Sequence, residues 1–261
     1  MAGLLDLNAV IAAASGLEPL PASATRLAAL AARDDSPLVE IADPIFLGHH
    51  VAGGCAVSSK VVRKRDAGEK AGVFAHGRTN RIVNDYSRDA TLRSMEDSLR
   101  RLRTDHVEIV FVHDLARDFW GDEWIAHFEE ARTGAFRALD RLRDEGVIRA
   151  WGLGVNLCEP IETLLDLQEP RPDGFLLAGR YTLLDHDRAL QRVMPTLAER
   201  DLSIVAGGPY SSGALVGGPN FEYAPATLAI LDKVARIKAI ADRYSITMKA
   251  AGLQFSLAHP A

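Results

Sequence analysis

Cysteine is nearly missing from this 261-residue sequence, with only Cys55 and Cys158 present. Two cysteines are too few for a disulfide framework or a zinc cluster, so no metal is expected and a reducing cytoplasm is the expected setting. No stretch approaches the ~18 apolar residues that a membrane span needs. The start of the chain lacks the basic residues of a secretion signal. The formal net charge of -5 offers no positive field for nucleic acid or an anionic membrane. No glycine-rich loop follows a strand in the first residues, so the dinucleotide fingerprint of a Rossmann domain is absent.

Apolar residues are plentiful at 48%, enough for a sizeable core. The most informative stretch is His106 to Asp114, read as HVEIVFVHD. Val107, Ile109, Val110, Phe111 and Val112 form a short β-branched and aromatic run. A strand covered on both faces reads this way, because it loses the polar alternation of an exposed strand. Such strands belong to parallel sheets with helices outside them. His113 and Asp114 fall at the carboxyl end, where parallel α/β folds place reactive side chains.

Around this stretch, strand and helix signals alternate. Ser87 or Asp89 is expected to cap a helix with Leu92, Met95, Leu99 and Leu102 on one face. A long loop from Leu115 to Glu130 is expected to carry Trp120 and Trp124. A helix with Ala135, Phe136, Leu139 and Leu142 inward ends at Gly146. Val147 to Val155 reads as a strand, Ile161 to Leu167 as a helix, Gly174 to Ala178 as a strand, Ala189 to Arg200 as a helix and Leu202 to Ala206 as a strand. The loop GGPYSSGALVGG follows. Two helices, Leu228 to Tyr244 and Met248 to Leu257, carry only core stripes. Strand signals also occur near positions 17, 40 and 57. The alternation predicts an α/β fold of the TIM (β/α)8 barrel type, incomplete at its end by one strand. The whole of residues 1–261 reads as one domain, with residues 1–36 a divergent, helical N-terminal segment.

Residues Asp85 to Ala261 resemble the aldo-keto reductases. The resemblance is to the branch holding the aldose 1-dehydrogenases (L-fucose or D-threo-aldose type) and pyridoxal 4-dehydrogenase. The segments that carry it are DYSRDATLRSMEDSLRRL, VEIVFVHD, LLAGRYTLLD, VAGGPYSSGAL, NFEYAPA and LQFSLAHPA. It implies a barrel that binds an extended nicotinamide cofactor, NAD or NADP, without a Rossmann domain. It implies four catalytic side chains: a Tyr that moves the proton, a Lys that lowers its pKa, an Asp that holds the Lys, and a His that orients the carbonyl. Lys60 and His113 stand at the Lys and His positions. Glu40 stands for the Asp, and Phe46 occupies the position of the Tyr, with one residue inserted before it. Phe cannot donate a proton. The family's last strand and its Arg-containing phosphate motif are expected beyond Ala261, which predicts marginal stability, a homo-oligomer formed through the open sheet edge, or N-terminal residues filling the gap.

For the cofactor, Asn156 follows the strand WGLGV and could bond a nicotinamide carboxamide or cap the next helix. Gly208, Pro209, Tyr210, Ser211, Ser212, Gly213 and Leu215 form the candidate pyrophosphate loop: glycines admit backbone N–H groups, and serines add hydroxyls. Tyr210 is a second candidate acid, or it packs the rim of that cleft. Tyr86 and Tyr181 read as packing residues whose hydroxyls find backbone partners. His49 and His50 read as solvent-facing. Two functions follow. One is an NAD(P)-dependent oxidoreductase acting on an aldose or similar small carbonyl or alcohol. The other is a protein of the same fold that has lost hydride transfer and binds, regulates, or acts as a non-redox lyase or isomerase.

Overall fold

The computed structural model describes residues 84–261, apart from 103, 104, 168 and 260, together with four two-residue strands before them. These are β1 (His50–Val51), β2 (Gly54–Cys55), β3 (Lys64–Arg65) and β4 (Asn80–Arg81). β1 pairs antiparallel with β2, and β3 with β4. The strands expected near positions 17 and 40, and most of the one near 57, lie outside the described residues, as do Glu40, Phe46, His49 and Lys60. The chain divides into two compact units. One is Leu27–Leu176, and the other is Met1–Arg26 with Leu177–Ala261.

The unit Leu27–Leu176 is built on helix α1 (Arg88–Leu102) and strand β5 (Val107–His113). The Ser87 hydroxyl caps α1 by accepting from the Ala90 N–H at 3.3 Å. The helix presents a different face from the expected one. Thr91, Ser94, Met95 and Ser98 are buried, while Leu92 and Leu99 are only partly covered. Small side chains at the contact let the helix lie close to its neighbour, and the leucines cover the flanks.

Every residue of β5 is buried, as the apolar run implies. It pairs in parallel with β6 (Ile148–Val155), with His113 opposite Gly154. The expected loop between Leu115 and Glu130 is instead largely helical: α2 (Arg117–Trp120), a short 3-10 turn, and α3 (Trp124–Thr133). These helices have no side-chain N-cap, and α3 buries only Phe128 and Ala131, so neither periodicity nor capping announced them. Helix α4 (Ala135–Asp144) buries Ala135, Phe136, Ala138, Leu139 and Leu142. Phe136 stacks on Trp151 of β6 with ring centroids 5.1 Å apart. Gly146, at φ +76°, ends α4 as expected. Its N–H reaches Arg143 O and the next N–H reaches Leu142 O, which together make a Schellman motif. Helix α5 (Glu159–Asp166) leads to β7 (Gly174–Ala178), the neighbour of β6.

In the unit that begins at Leu177, the end of β7 lies beside β8 (Ser203–Gly207). The single helix expected over Ala189 to Arg200 is two: α6 (Asp187–Gln191) and α7 (Val193–Glu199), broken at Arg192. Pro195 is the cause. Its ring would collide with the carbonyl four residues earlier, at Gln191, and it has no N–H for that bond. Beyond β8 come a 3-10 segment (Ser211–Val216), the hairpin of β9 (Asn220–Phe221) with β10 (Ala224–Pro225), and helices α8 (Leu228–Arg243) and α9 (Met248–Ser256). Both helices start on threonine caps, Thr227 and Thr247. Their apolar residues do more than line a core. Ile230, Val234, Ile237 and Met248 pack on Leu184, Ala214 and Leu215, but Leu228, Leu231, Ile240, Tyr244, Leu253 and Leu257 are exposed. No helix among the described residues is long and apolar enough to cross a membrane.

Candidate active site

His113 is the last residue of β5 and is only 7% exposed. Its imidazole lies against Gly154 on the neighbouring strand: a Cβ there would come within 2.7 Å of Cε1 and 2.8 Å of Nε2. A glycine inside a buried strand usually marks such a close approach. The chain then turns sharply. Asp114 adopts φ +58° and its N–H donates to Gly154 O at 3.1 Å, so the strand end is tied to β6 one residue past the histidine.

Tyr86 secures His113 from another direction. The Tyr86 hydroxyl donates to the His113 carbonyl at 3.1 Å and accepts from Trp120 Nε1 at 3.2 Å. Burial pushes that hydroxyl up to about 12, so it stays a donor at any ordinary pH. The Trp120 ring packs edge-on to Tyr86 and lies 3.8 Å, centroid to centroid, from His127. Trp124 packs instead on Phe128. Asn156 follows β6 and donates to Asp118 Oδ2 at 3.0 Å, linking the end of β6 to α2. That bond occupies one of its two amide protons and leaves the side-chain oxygen for another partner.

The loop after β8 holds its shape by unusual backbone geometry. Gly208 is at φ +63°, and Ser211, Ser212 and Gly213 are at +49°, +57° and +97° in succession. Two consecutive serines in the left-handed region store roughly 1–2 kcal/mol each, a cost found most often at functional turns. Ser211 is buried, with its oxygen 3.1 Å from the Thr182 hydroxyl. Thr182 Oγ1 also accepts the N–H groups of Leu184 and Asp185, so it ties Ser211 to the turn over residues 182–185. Ser212 Oγ accepts the Tyr223 N–H at 3.1 Å, which fastens the hairpin to the loop. Arg180 bridges Asp185 and Glu222. A Cβ at Gly208 or Gly213 would meet nothing nearer than 3.8 Å, so the backbone at both is open to an approaching group. Pro209 sits at the start of this turn, while Leu215 is fully buried and belongs to the packing of the loop. Tyr210 packs beside it against Gly252, and its hydroxyl donates to Lys249 O at 3.5 Å.

Among the expected catalytic residues, His113 is therefore placed at a strand end. Lys60, Glu40 and Phe46 lie outside the described residues. Sequence reasoning foresaw Tyr86 as a packing residue with a backbone partner, and that partner is the carbonyl of His113 itself. It did not foresee the seat supplied by Gly154. The signal was available, since two glycines in the buried strand WGLGV have no local use. Tyr181 packs on Phe255 and His259, as expected of a packing residue.

The family model of the aldo/keto reductases matches residues 54–261. The chain is 37% identical over 191 residues to a pyridoxal 4-dehydrogenase of Microbacterium luteolum, covering 71% of this chain and 55% of that protein. It is 30% identical over 178 residues to a D-threo-aldose 1-dehydrogenase of a Pseudomonas species, covering 66% of this chain and 51% of that protein. Among solved structures, the glycerol dehydrogenase of Gluconobacter oxydans superposes with a TM-score of 0.50 at 17% identity, over 70% of this chain and 56% of that one. This chain belongs to the aldo/keto reductase family, and its fold class is the α/β barrel of the TIM type. It spans about half the length of the curated relatives it matches.

Proposed function

We propose that this protein is an NAD(P)-dependent oxidoreductase of the aldo-keto reductase type that acts on an aldose or a similar small carbonyl compound or alcohol. The observation that carries the reading is His113, fixed at the carboxyl end of a buried parallel strand in an aldo/keto reductase chain. The names of the two relatives support a small polar substrate. The reading takes residues 1–261 as one barrel domain.

The bound dinucleotide would supply the hydride, and the chain's own residues do the rest. The open, left-handed turn at Gly208 to Gly213, with the Ser211 and Ser212 hydroxyls, would hold phosphate oxygens. The side-chain oxygen of Asn156 would accept from a carboxamide. His113 would orient the substrate oxygen on which charge develops, and the family resemblance would give Lys60 the role of a cation near that oxygen and Glu40 the role of its partner. Phe46 stands where the family has its proton donor. This position favours a second reading, in which the site binds cofactor and substrate but transfers hydride very slowly.

Titrating the full chain into NADPH or NADH and following the coenzyme fluorescence tests the proposal. Saturable binding with turnover of an aldose supports the first reading. Binding without turnover supports the second. In that case Phe46→Tyr is expected to raise kcat by roughly 10²- to 10⁴-fold, the contribution of a general acid. Absence of binding to either coenzyme overturns both.

A further inference from the structure

We infer that Tyr86 is a positioning residue for His113, held to that task by Trp120. The inference deepens the oxidoreductase reading, and its activity measurement rests on that reading.

Three observations converge. The Tyr86 side chain is 0% exposed, yet its single polar atom makes two hydrogen bonds, one to the His113 carbonyl and one from Trp120 Nε1. A tyrosine used only for packing would need one partner to satisfy its hydroxyl. The Tyr86 main chain is also pinned, since its carbonyl accepts the Ala135 N–H at 3.0 Å. A Cβ on Gly134 would stand 2.6 Å from that same carbonyl oxygen, so α4 starts pressed against Tyr86. The third observation is the turn after His113. The N–H of the peptide between His113 and Asp114 donates to Gly154 O before the chain turns at Asp114, φ +58°, and the carbonyl of that same peptide accepts from the Tyr86 hydroxyl.

The imidazole is therefore fixed at two points. Gly154 sets the plane its ring lies on, and Tyr86, with the Asp114 N–H bond to Gly154 O, holds the peptide that follows it. Trp120 lies only seven positions beyond His113, on the helical segment between β5 and α4. The pair thus closes a small loop of chain back onto the histidine. If the hydroxyl is lost, the buried His113 carbonyl and the partly buried Trp120 indole N–H both lose this bond, and the peptide after His113 keeps its tie to Gly154 O on the N–H side but loses the one on its carbonyl side.

The test uses Tyr86→Phe, which keeps the ring and removes the hydroxyl. Two readouts are needed. One is the nitrogen and ring-proton NMR signals of the His113 imidazole across a pH titration, assigned by their disappearance in His113→Asn. The other is kcat and KM for carbonyl reduction. In Tyr86→Phe the His113 signals are expected to move or broaden. Turnover should fall about tenfold, the worth of one lost hydrogen bond, with KM for the coenzyme unchanged. Trp120→Phe should shift the same signals in the same sense by less, because Tyr86 keeps its bond to the carbonyl. If Tyr86→Phe does not fold, Trp120→Phe decides the matter alone. Unchanged His113 signals in the folded variant overturn the inference. A parent that reduces no carbonyl overturns the oxidoreductase reading, while the NMR comparison still decides the role of Tyr86.

Discussion

A methyl group on Gly154 would press directly on the ring of His113. The added Cβ would stand 2.7 Å from Cε1, 2.8 Å from Nε2 and 3.0 Å from Nδ1. Carbon atoms rest at about 3.5–4.0 Å, so the ring has to retreat by roughly 1 Å. It can do so, because an imidazole turns about two side-chain bonds and the strand itself need not part. Overpacking of this kind costs about 1–3 kcal/mol. For a chain of this size that lowers Tm by roughly 2–4 °C per kcal/mol. The functional loss should be larger than the structural one, since a ~1 Å displacement of a group that orients substrate costs on the order of 10²-fold. Gly154→Ala should therefore fold, melt some degrees lower, and bind NADPH or NADH with affinity close to the parent. It should reduce an aldose about a hundredfold more slowly. Thermal melts, coenzyme fluorescence and steady-state kinetics measure the three quantities separately. Parent-like turnover in a folded Gly154→Ala protein would refute the idea that the seat of His113 matters to the chemistry.

The neighbouring glycine should behave differently. A Cβ on Gly152 would lie 1.7 Å from the Gly174 carbonyl oxygen, a backbone atom that cannot swing aside, so Gly152→Ala should yield little soluble folded protein. A variant with the circular dichroism and Tm of the parent would contradict the β6–β7 packing. Asp201 and Ser245 occupy the left-handed position of Schellman motifs at the ends of α7 and α8, at φ +53° and +56°. Asp201→Gly and Ser245→Gly should each stabilise the fold by about 0.5–1 kcal/mol in denaturant titrations. Asp140 receives the Trp151 indole N–H at 2.9 Å and pairs with Arg143, yet burial holds its carboxyl above the usual range. A raised folded pKa means the native state binds the proton more tightly. The charged form therefore costs stability above the folded pKa, and that cost vanishes below the unfolded one. The stability of Asp140→Asn relative to the parent should therefore rise as pH increases from about 3 to about 6. A constant difference across that range would count against the burial of this carboxylate.

Some of this protein was readable from the chain alone. β5 followed from an unbroken apolar run, the end of α4 from Gly146, and β7 from an equally local signal. The place of His113 at a strand end followed for the same reason. The break between α6 and α7 also had its cause in the sequence, in Pro195, although the apolar spacing on either side concealed it. The helices over Arg117–Thr133 had no such signal, because what holds them is the contact of Trp120 with Tyr86 and of Phe128 with Phe136. The seat of His113 was decided only in three dimensions. Gly154 faces His113 because of the register between β5 and β6, and the Tyr86 hydroxyl reaches a carbonyl 27 positions away. Hydrophobic pattern states which faces are buried, but not which residue of one strand lies opposite which residue of the next. Where a close approach or a single hydrogen bond sets a side chain, that register is the deciding quantity, and only the packed chain contains it.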